Sequence, residues 1–316
     1  MDFFISVIIP VYNGEKFIVK AVESVLIQPE VIEIIIIDDA STDNTLHLIK
    51  QLEKEQNRIV VLKHSKNLGR ASTRNTGIRH ANSEFIAFLD ADDFYLPNRF
   101  KTDKELFKDH QDIDGIYNAI GTHFYRNTTR DEQKKLELTT LNKTVDPDSL
   151  FNVLFKGKHG HFSIDGLTIK RHVFKIIGFF NEEIPVAEDT ELIYRLAIKL
   201  KLHGGVLHKP VAMRGVHEDN VFNKSSIYKK HETKMYMALL SWCTRHYKAN
   251  EILDLILNRI WIMRYKTDAN IMAHINYWLA YTLGNPKLLF TTLSIKYFPL
   301  IRLRQKLFPF LYNNSK

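Results

Sequence analysis

The 316-residue sequence has a single cysteine, Cys243. A disulfide framework and a cysteine-based zinc site are therefore excluded, and a lone thiol fits a reducing compartment. No run of 18 or more uninterrupted apolar residues occurs, so a membrane-spanning helix is not expected. The opening stretch MDFFISVIIP lacks both a basic segment and a small-residue cleavage site, and it reads as a strand rather than a secretory leader. Glycine is sparse, with 13 residues in all, and nowhere forms GxGxxG or GxxxxGK followed by Ser or Thr. Without a glycine-rich cradle, a bound diphosphate needs a metal ion and a few basic side chains instead. No internal repeat is visible.

Carboxylates are scarce in the last third. Ser225–Lys316 holds 14 of the 44 Lys and Arg but only 4 of the 36 Asp and Glu, so the net charge of +8 belongs to this region. Such a segment suits an anionic partner, a membrane surface or a nucleic acid. No nucleic-acid-binding motif accompanies the charge, and nucleic acid is not the expected partner. Lys287–Phe310 interleaves Leu, Phe, Tyr and Ile with Lys296, Arg302, Arg304 and Lys306. That pattern fits helices lying in a membrane interface, or helices docked on a domain with a solvated basic face. The expected location is the cytoplasm, with peripheral contact at the inner face of the plasma membrane as one option.

What is present is a core. Apolar residues make up 45 % of the chain, enough to exclude general disorder. Ile5–Pro10 reads as a first buried strand ended by Pro10, which cannot donate to a sheet ladder. Val31–Ile37 is a second strand, running into Asp38-Asp39. Ser41-Thr42-Asp43 offers N-cap candidates for a helix through Glu55. Ile59–Leu62 is a third strand, and a helix from Arg70 to Ala81 follows. Phe85–Leu89 is a fourth strand, running straight into Asp90, Asp92 and Asp93. Strand–helix alternation of this kind predicts a parallel sheet with right-handed crossovers. It sets Tyr12, Asp39 and Asp90–Asp93 along one sheet edge, where ligands of open α/β sheets bind. Three crowded carboxylates are relieved either by a divalent cation or by solvent, as an acidic turn capping the next helix.

Further on, Pro97 opens a helix through His110, and Asp114–Tyr125 reads as one strand. Asn127–Pro147 is a polar excursion, Ser149–Phe155 a helix and Gly166–Ile169 a short strand. Asp189 falls in the first turn of a helix whose apolar face is Leu192, Ile193, Leu196, Ala197 and Leu200, where the macrodipole favours a carboxylate. Gly205–Val216 reads as a strand. Beyond Ser225 the pattern is helical: Tyr236, Leu239, Leu240 and Cys243 share one face, and Ile252, Leu255, Ile256, Ile260 and Met263 another. The expected organisation is a domain over 1–222, with a nucleotide-binding half 1–110 and an acceptor half 111–222, followed by a basic amphipathic helical region 223–316.

Six segments in order resemble family 2 glycosyltransferases, inverting enzymes of the GT-A fold: Val7–Asn13 (VIIPVYN), Asp38-Asp39 with Ser41–Thr45 (STDNT), Asn67–Ile78 (NLGRASTRNTGI), Glu84–Asp93 (EFIAFLDADD), Ala187–Leu192 (AEDTEL) and Arg214–His217 (RGVH). The resemblance covers roughly residues 5–220. It implies an α/β fold with a mostly parallel central sheet flanked by helices, and transfer of a sugar from a nucleotide diphosphate sugar, a UDP-sugar by preference, to a saccharide or lipid-linked saccharide. It implies that Pro10, Tyr12, Asp39, Arg70, Arg74 and Asp90 line the nucleotide, with Tyr12 stacking on the base and Asp39 accepting from uracil N3–H. It also implies that Asp92, with His217, holds Mn2+ or Mg2+, that Asp93 is structural, and that Asp189 is the general base. Where relatives often carry G-F-D-E, this chain has Gly178-Phe179-Phe180-Asn181-Glu182, one negative charge fewer near the acceptor. A sugar nucleotidyltransferase would carry a glycine- and arginine-rich loop after the first strand, which VYNGEK does not resemble. A non-catalytic relative that binds nucleotide or polysaccharide is the third reading.

Overall fold

A computed structural model describes residues 2–218, 220, 225–246, 249–267 and 270–308. The chain forms two compact units, Met1–Ser225 and Ser226–Lys316.

The first unit begins with an α/β alternation. Strand β1 (Ile5–Val11) is followed by α1 (Ile18–Leu26), β2 (Val31–Asp38), α2 (Thr45–Glu55), β3 (Ile59–Lys63), α3 (Arg70–His80) and β4 (Phe85–Phe88). All seven residues of β1 are buried, because helices cover both faces of a parallel sheet. Each fully buried Ile along β1 and β2 contributes roughly 1.5–3 kcal/mol. β1 runs one residue past Pro10. Its ladder with β4 has already ended at Ile8, so the missing proline N–H falls where the sheet is paired only to β2. Helix α3 rests on β1 and β2 at Gly77, where a Cβ would collide with Ile8 and Ile37.

The expected cap residues of α2 serve the neighbouring loop as well. Asn44 precedes the helix without a side-chain cap bond. Ser41 Oγ accepts from Asn13 N at 2.9 Å, and Asp43 accepts from both Glu15 N and Thr45 N. These bonds tie the loop after β1 to the loop after β2.

Downstream the chain departs from the simple alternation. After β5 (Phe94–Tyr95), α4 is Lys101–Asp109, four residues later than Pro97 suggested; Asn98, at φ 61°, turns the chain first. The stretch expected as one strand from Asp114 to Tyr125 is two, β6 (Gly115–Tyr117) and β7 (Ile120–Phe124), in different sheets. Buried Asn118 makes the switch, bonding Asp103, the Gly166 carbonyl and Val206 N. The polar excursion contains α5 (Arg130–Lys135) and β8 (Leu138–Thr139), then α6 (Pro147–Lys156). Next come β9 (Leu167–Lys170), α7 (Val173–Ile177) and α8 (Glu188–Lys199). Of the strand expected over Gly205–Val216 only the end forms, as β11 (Ala212–Val216), and a separate short strand, β10 (Leu202–Gly204), precedes the stretch.

The larger sheet runs β10-β6-β9-β4-β1-β2-β3, and the smaller β5-β11-β7-β8. The larger sheet is parallel except for β9, which is antiparallel to β4 and β6. The architecture is a mostly parallel central sheet flanked by helices, followed by C-terminal helices, as expected.

In the second unit α9 (Ser225–His246), α10 (Asn250–Thr267) and α11 (Ile271–Gly284) precede three short helices, α12 (Thr292–Lys296), α13 (Pro299–Arg302) and α14 (Arg304–Leu307). Tyr236, Leu239, Leu240 and Cys243 are buried together as the spacing predicts. In α10 the buried set is Leu253, Ile256, Leu257 and Ile260, a face rotated from the expected one toward Leu253 and Leu257. Among the described residues, no helix is long and apolar enough to cross a membrane. Residues 309–316, part of the basic stretch singled out in the sequence, lie outside the described residues.

Candidate active site

Strands β4, β1 and β2 are neighbours and parallel, so their carboxyl ends open on one side. Tyr12, Asp39 and the Asp90–Asp93 turn follow these ends directly. Three residues near this edge hold a left-handed backbone without being glycine: Asn13 (φ 52°), Ala40 (φ 62°) and Ala187 (φ 63°). The two alanines cost about 1–2 kcal/mol each in that conformation, strain of a kind that gathers at functional sites.

Tyr12 is half exposed, its ring open to solvent. Asp39 is buried beneath the loop that leads into α3. Its Oδ1 accepts from His64 Nδ1 at 2.7 Å and Leu68 N at 2.9 Å, and its Oδ2 from Gly69 N at 2.8 Å. His64 Nε2 meets Thr76 Oγ1 at 2.9 Å, which fixes the ring. A carboxylate has about four lone-pair sites, so one on Oδ2 is left for a ligand N–H. Pro10 is buried within β1.

Arg74 joins two motifs. Only 1 % exposed, it places one terminal nitrogen 2.6 Å from Asp90 Oδ1 and the other 2.8 Å from Glu188 Oε1. Arg70, one turn earlier and largely exposed, lies 3.3 Å from the same Glu188 oxygen. Burial works to raise the Asp90 carboxyl, but Arg74 and Arg70 outweigh it and hold it below the usual range. Glu188 goes the other way: burial lifts it despite the two arginines. Its Oε2 and the Arg74 Nε have no partner among the described residues. Phe180 belongs to the Gly178–Glu182 segment. It is core, edge-on to Phe88 and beneath the Arg74 guanidinium at 5.4 Å.

The three aspartates of the turn separate by environment. Asp93 is buried and accepts from Gly215 N at 2.8 Å. Gly215 is required there, since a Cβ would strike the Asp92 carbonyl. Asp90, Asp93 and Asp165 form one carboxylate group, their oxygens within 4.8 Å of one another. Burial and the neighbouring charges push Asp165 up to about 6 and Asp93 well above the usual carboxylate range. Asp92 points elsewhere. Its Oδ2 lies 3.0 Å from His217 Nε2 and 3.0 Å from Asn220 Nδ2. The His217 ring is stacked on Phe17, centroids 4.8 Å apart, which aims its nitrogen.

Both groupings could hold a cation, and their chemistry differs. The Asp90–Asp93–Asp165 group is already engaged, Asp90 by Arg74, Asp93 by Gly215 N and Asp165 by Asp90 N. Asp92 and His217 are partly open to solvent and offer one oxygen and one imidazole nitrogen. That pair fits Mn2+ better than Mg2+, which favours oxygen throughout.

Asp189 is half-buried in the first turn of α8, one residue after Glu188. Its Oδ1 accepts from Thr190 N at 2.7 Å. Asp189 also acts electrostatically on Arg70, Arg74 and His161, which places these groups around it. Desolvation and Arg214 hold the His161 imidazole below its usual value, against the opposing pull of Asp189. Sequence reasoning assigned no role to Glu188, Asp165, Asn220, Arg214 or His161. Glu188 and Arg214 lay inside quoted motifs; Asp165, His161 and Asn220 carried no local signal. A cavity of about 480 Å³ near the amino ends of β1, β2 and β3, lined by Phe4, Ile32, Arg58 and Val60 among others, contains none of these residues.

The family model for glycosyl transferase family 2 matches residues 6–172. The chain belongs to that family. This glycosyltransferase is 29 % identical over 246 residues to the minor teichoic acid biosynthesis protein GgaA of Bacillus subtilis (strain 168), covering 74 % of this chain and 53 % of GgaA. It is 40 % identical over 101 residues to the Escherichia coli UDP-Glc:alpha-D-GlcNAc-diphosphoundecaprenol beta-1,3-glucosyltransferase WfgD, covering 32 % of this chain and 39 % of WfgD. The chain thus spans about half the length of GgaA and less of WfgD. The transferase also superposes on S. aureus TarS 1-349 in complex with UDP-GlcNAc, with a TM-score of 0.63 over 96 % of this chain and 92 % of the other. At 17 % identity that likeness concerns the fold.

Proposed function

We propose that this transferase moves a sugar from a UDP-sugar to a hydroxyl of a saccharide or lipid-linked saccharide, with inversion at the anomeric carbon. The observation that carries the reading is the position of Arg74, which holds the donor-side Asp90 and the Glu188-Asp189 pair on one guanidinium. A donor bound at the strand ends then has a carboxylate opposite its leaving group. The UDP-Glc-dependent WfgD and the TarS complex with UDP-GlcNAc support the choice of UDP. WfgD's name also supports a lipid-linked acceptor.

In this reading Tyr12 offers a flat face to the uracil, and the remaining Asp39 lone pair accepts from its N3–H. Asp90 faces the ribose, and Arg70 the diphosphate. Asp189 takes the proton of the acceptor hydroxyl as that oxygen bonds to the anomeric carbon and the bond from that carbon to the diphosphate oxygen breaks, releasing UDP. The transition state is oxocarbenium-like, so a weak carboxylate base suffices. Asp92 and His217 would hold Mn2+, with Mg2+ as the alternative ion. When bound, the ion supplies charge neutralisation at the departing diphosphate.

Calorimetric titration of UDP, dTDP, GDP and CMP, with Mn2+ and with EDTA, tests the reading. Metal-dependent binding that favours UDP is the expected result. Preference for dTDP or GDP overturns the donor base. Binding of none of them by folded protein overturns catalysis in favour of a non-catalytic role.

A further inference from the structure

Helix α11 has the wrong surface for water. Its sequence, IMAHINYWLAYTLG, contains no Lys, Arg, Asp or Glu, and its one histidine, His274, is buried. Met272, Leu279 and Leu283 stand at helical spacing on one face and are 57 %, 41 % and 69 % exposed. The 3-10 turn that follows, Pro286–Phe290, continues this apolar surface with Leu289 and with Phe290, which is 90 % exposed. An ordinary surface helix reverses this arrangement, with its apolar stripe inward and its charged face outward.

The segment that builds this face carries charge of one sign. No Asp or Glu follows Asp268, whereas six Lys and Arg do, beginning with Lys287 inside the exposed turn. Protein interfaces carry a polar rim with groups of both kinds. Lys296 is taken up by Asp254 of α10, and the exposed Lys287 is the cation beside the apolar face. A face apolar at its centre and basic at its edge matches an anionic bilayer, whose acyl boundary takes the apolar side chains while headgroup phosphates take the lysine. At 14 residues α11 extends about 21 Å, too short to span a hydrocarbon core of about 30 Å.

We infer that the face formed by Met272, Leu279, Leu283, Leu289 and Phe290, with Lys287 beside it, seats on an anionic lipid bilayer, parallel to its surface. None of these residues belongs to the candidate active site, so the inference stands apart from the donor reading.

Flotation of the full chain with phosphatidylcholine vesicles, with and without phosphatidylglycerol, tests it. The full chain floats with the anionic vesicles and far less with the neutral ones. Leu283→Ser with Phe290→Ser lowers partitioning about tenfold or more, and Lys287→Glu lowers it at least about fivefold. Circular dichroism and urea denaturation of the same variants match the wild-type chain and show that they are folded. Failure of the wild-type chain to float with either vesicle overturns the inference. So does a sedimentation-velocity result in which the same substitutions turn a dimer into a monomer while flotation is unaffected, since the face would then join copies of this chain.

Discussion

Arg74 and Glu188, 114 positions apart in the chain, meet at 2.8 Å with neither more than 2 % exposed. The contact fastens α3, which carries the nucleotide-side arginines, to the first residue of α8, which carries Asp189. Removing one partner of a buried pair leaves the other charge uncompensated. Arg74→Ala is therefore expected to lose roughly 3–5 kcal/mol of stability, read by urea denaturation. Glu188→Gln keeps the shape and removes the charge; turnover should fall while UDP affinity holds. Equal loss of both would assign Glu188 to donor binding instead.

Asp189→Asn keeps the acceptor bonds from Thr190 available and removes the base. Turnover is expected to fall on the order of 100-fold or more, with UDP affinity by calorimetry unchanged. Wild-type turnover in this variant would exclude Asp189 as base.

Asp92→Ala should abolish the enhancement of UDP binding by Mn2+. His217→Ala should reduce it and narrow the advantage of Mn2+ over Mg2+, because the nitrogen ligand is the one that separates the two ions. The measurement is UDP titration across a series of each ion. UDP affinity in the presence of Mn2+ that is untouched by Asp92→Ala would remove Asp92 from metal binding.

Asp39 should read the base. Asp39→Asn replaces a pure acceptor with a group of which half donates. A loss of about tenfold or more in UDP affinity is expected, with a smaller loss for CDP, whose ring N3 accepts. His64→Ala frees the Asp39 carboxylate to rotate and should narrow the UDP-to-CDP ratio without removing binding. An unchanged ratio in both variants would place the base elsewhere.

The parts legible in the sequence were those where chemistry needs particular side chains at strand ends. Tyr12, Asp39 and the Asp90–Asp93 turn follow buried strands whose continuous apolar runs announce a parallel sheet. The Glu188-Asp189 pair opens a helix with an evident apolar face. The illegible parts were decided by tertiary contacts. Asp114–Tyr125 has a strand's composition throughout, yet it changes sheet at Asn118 because Asp103, Gly166 and Val206 satisfy that buried amide from outside the segment. The strand expected over Gly205–Val216 begins only at Ala212, and β10, which ends just before that stretch, lies in the other sheet. Asp165 is buried among the site carboxylates but sits in a short 3-10 turn with no pattern of its own. Pro10 looked like a terminator because the sequence does not reveal that the neighbouring strand stops two residues earlier.

During synthesis on a ribosome the acidic turn emerges long before β11. Gly215, whose amide meets Asp93, lies 122 positions later in the chain. Until that glycine arrives, Asp93 lacks this amide donor, and His217 and Asn220 are not yet made. The nascent chain can complete its first strands and helices while the contact of Asp92 with His217 and Asn220 is still unmade. The family-matched segment, which ends at residue 172, is in this sense only the earlier-made part of the site, and the arrival of β11 fixes the moment at which the two parts meet.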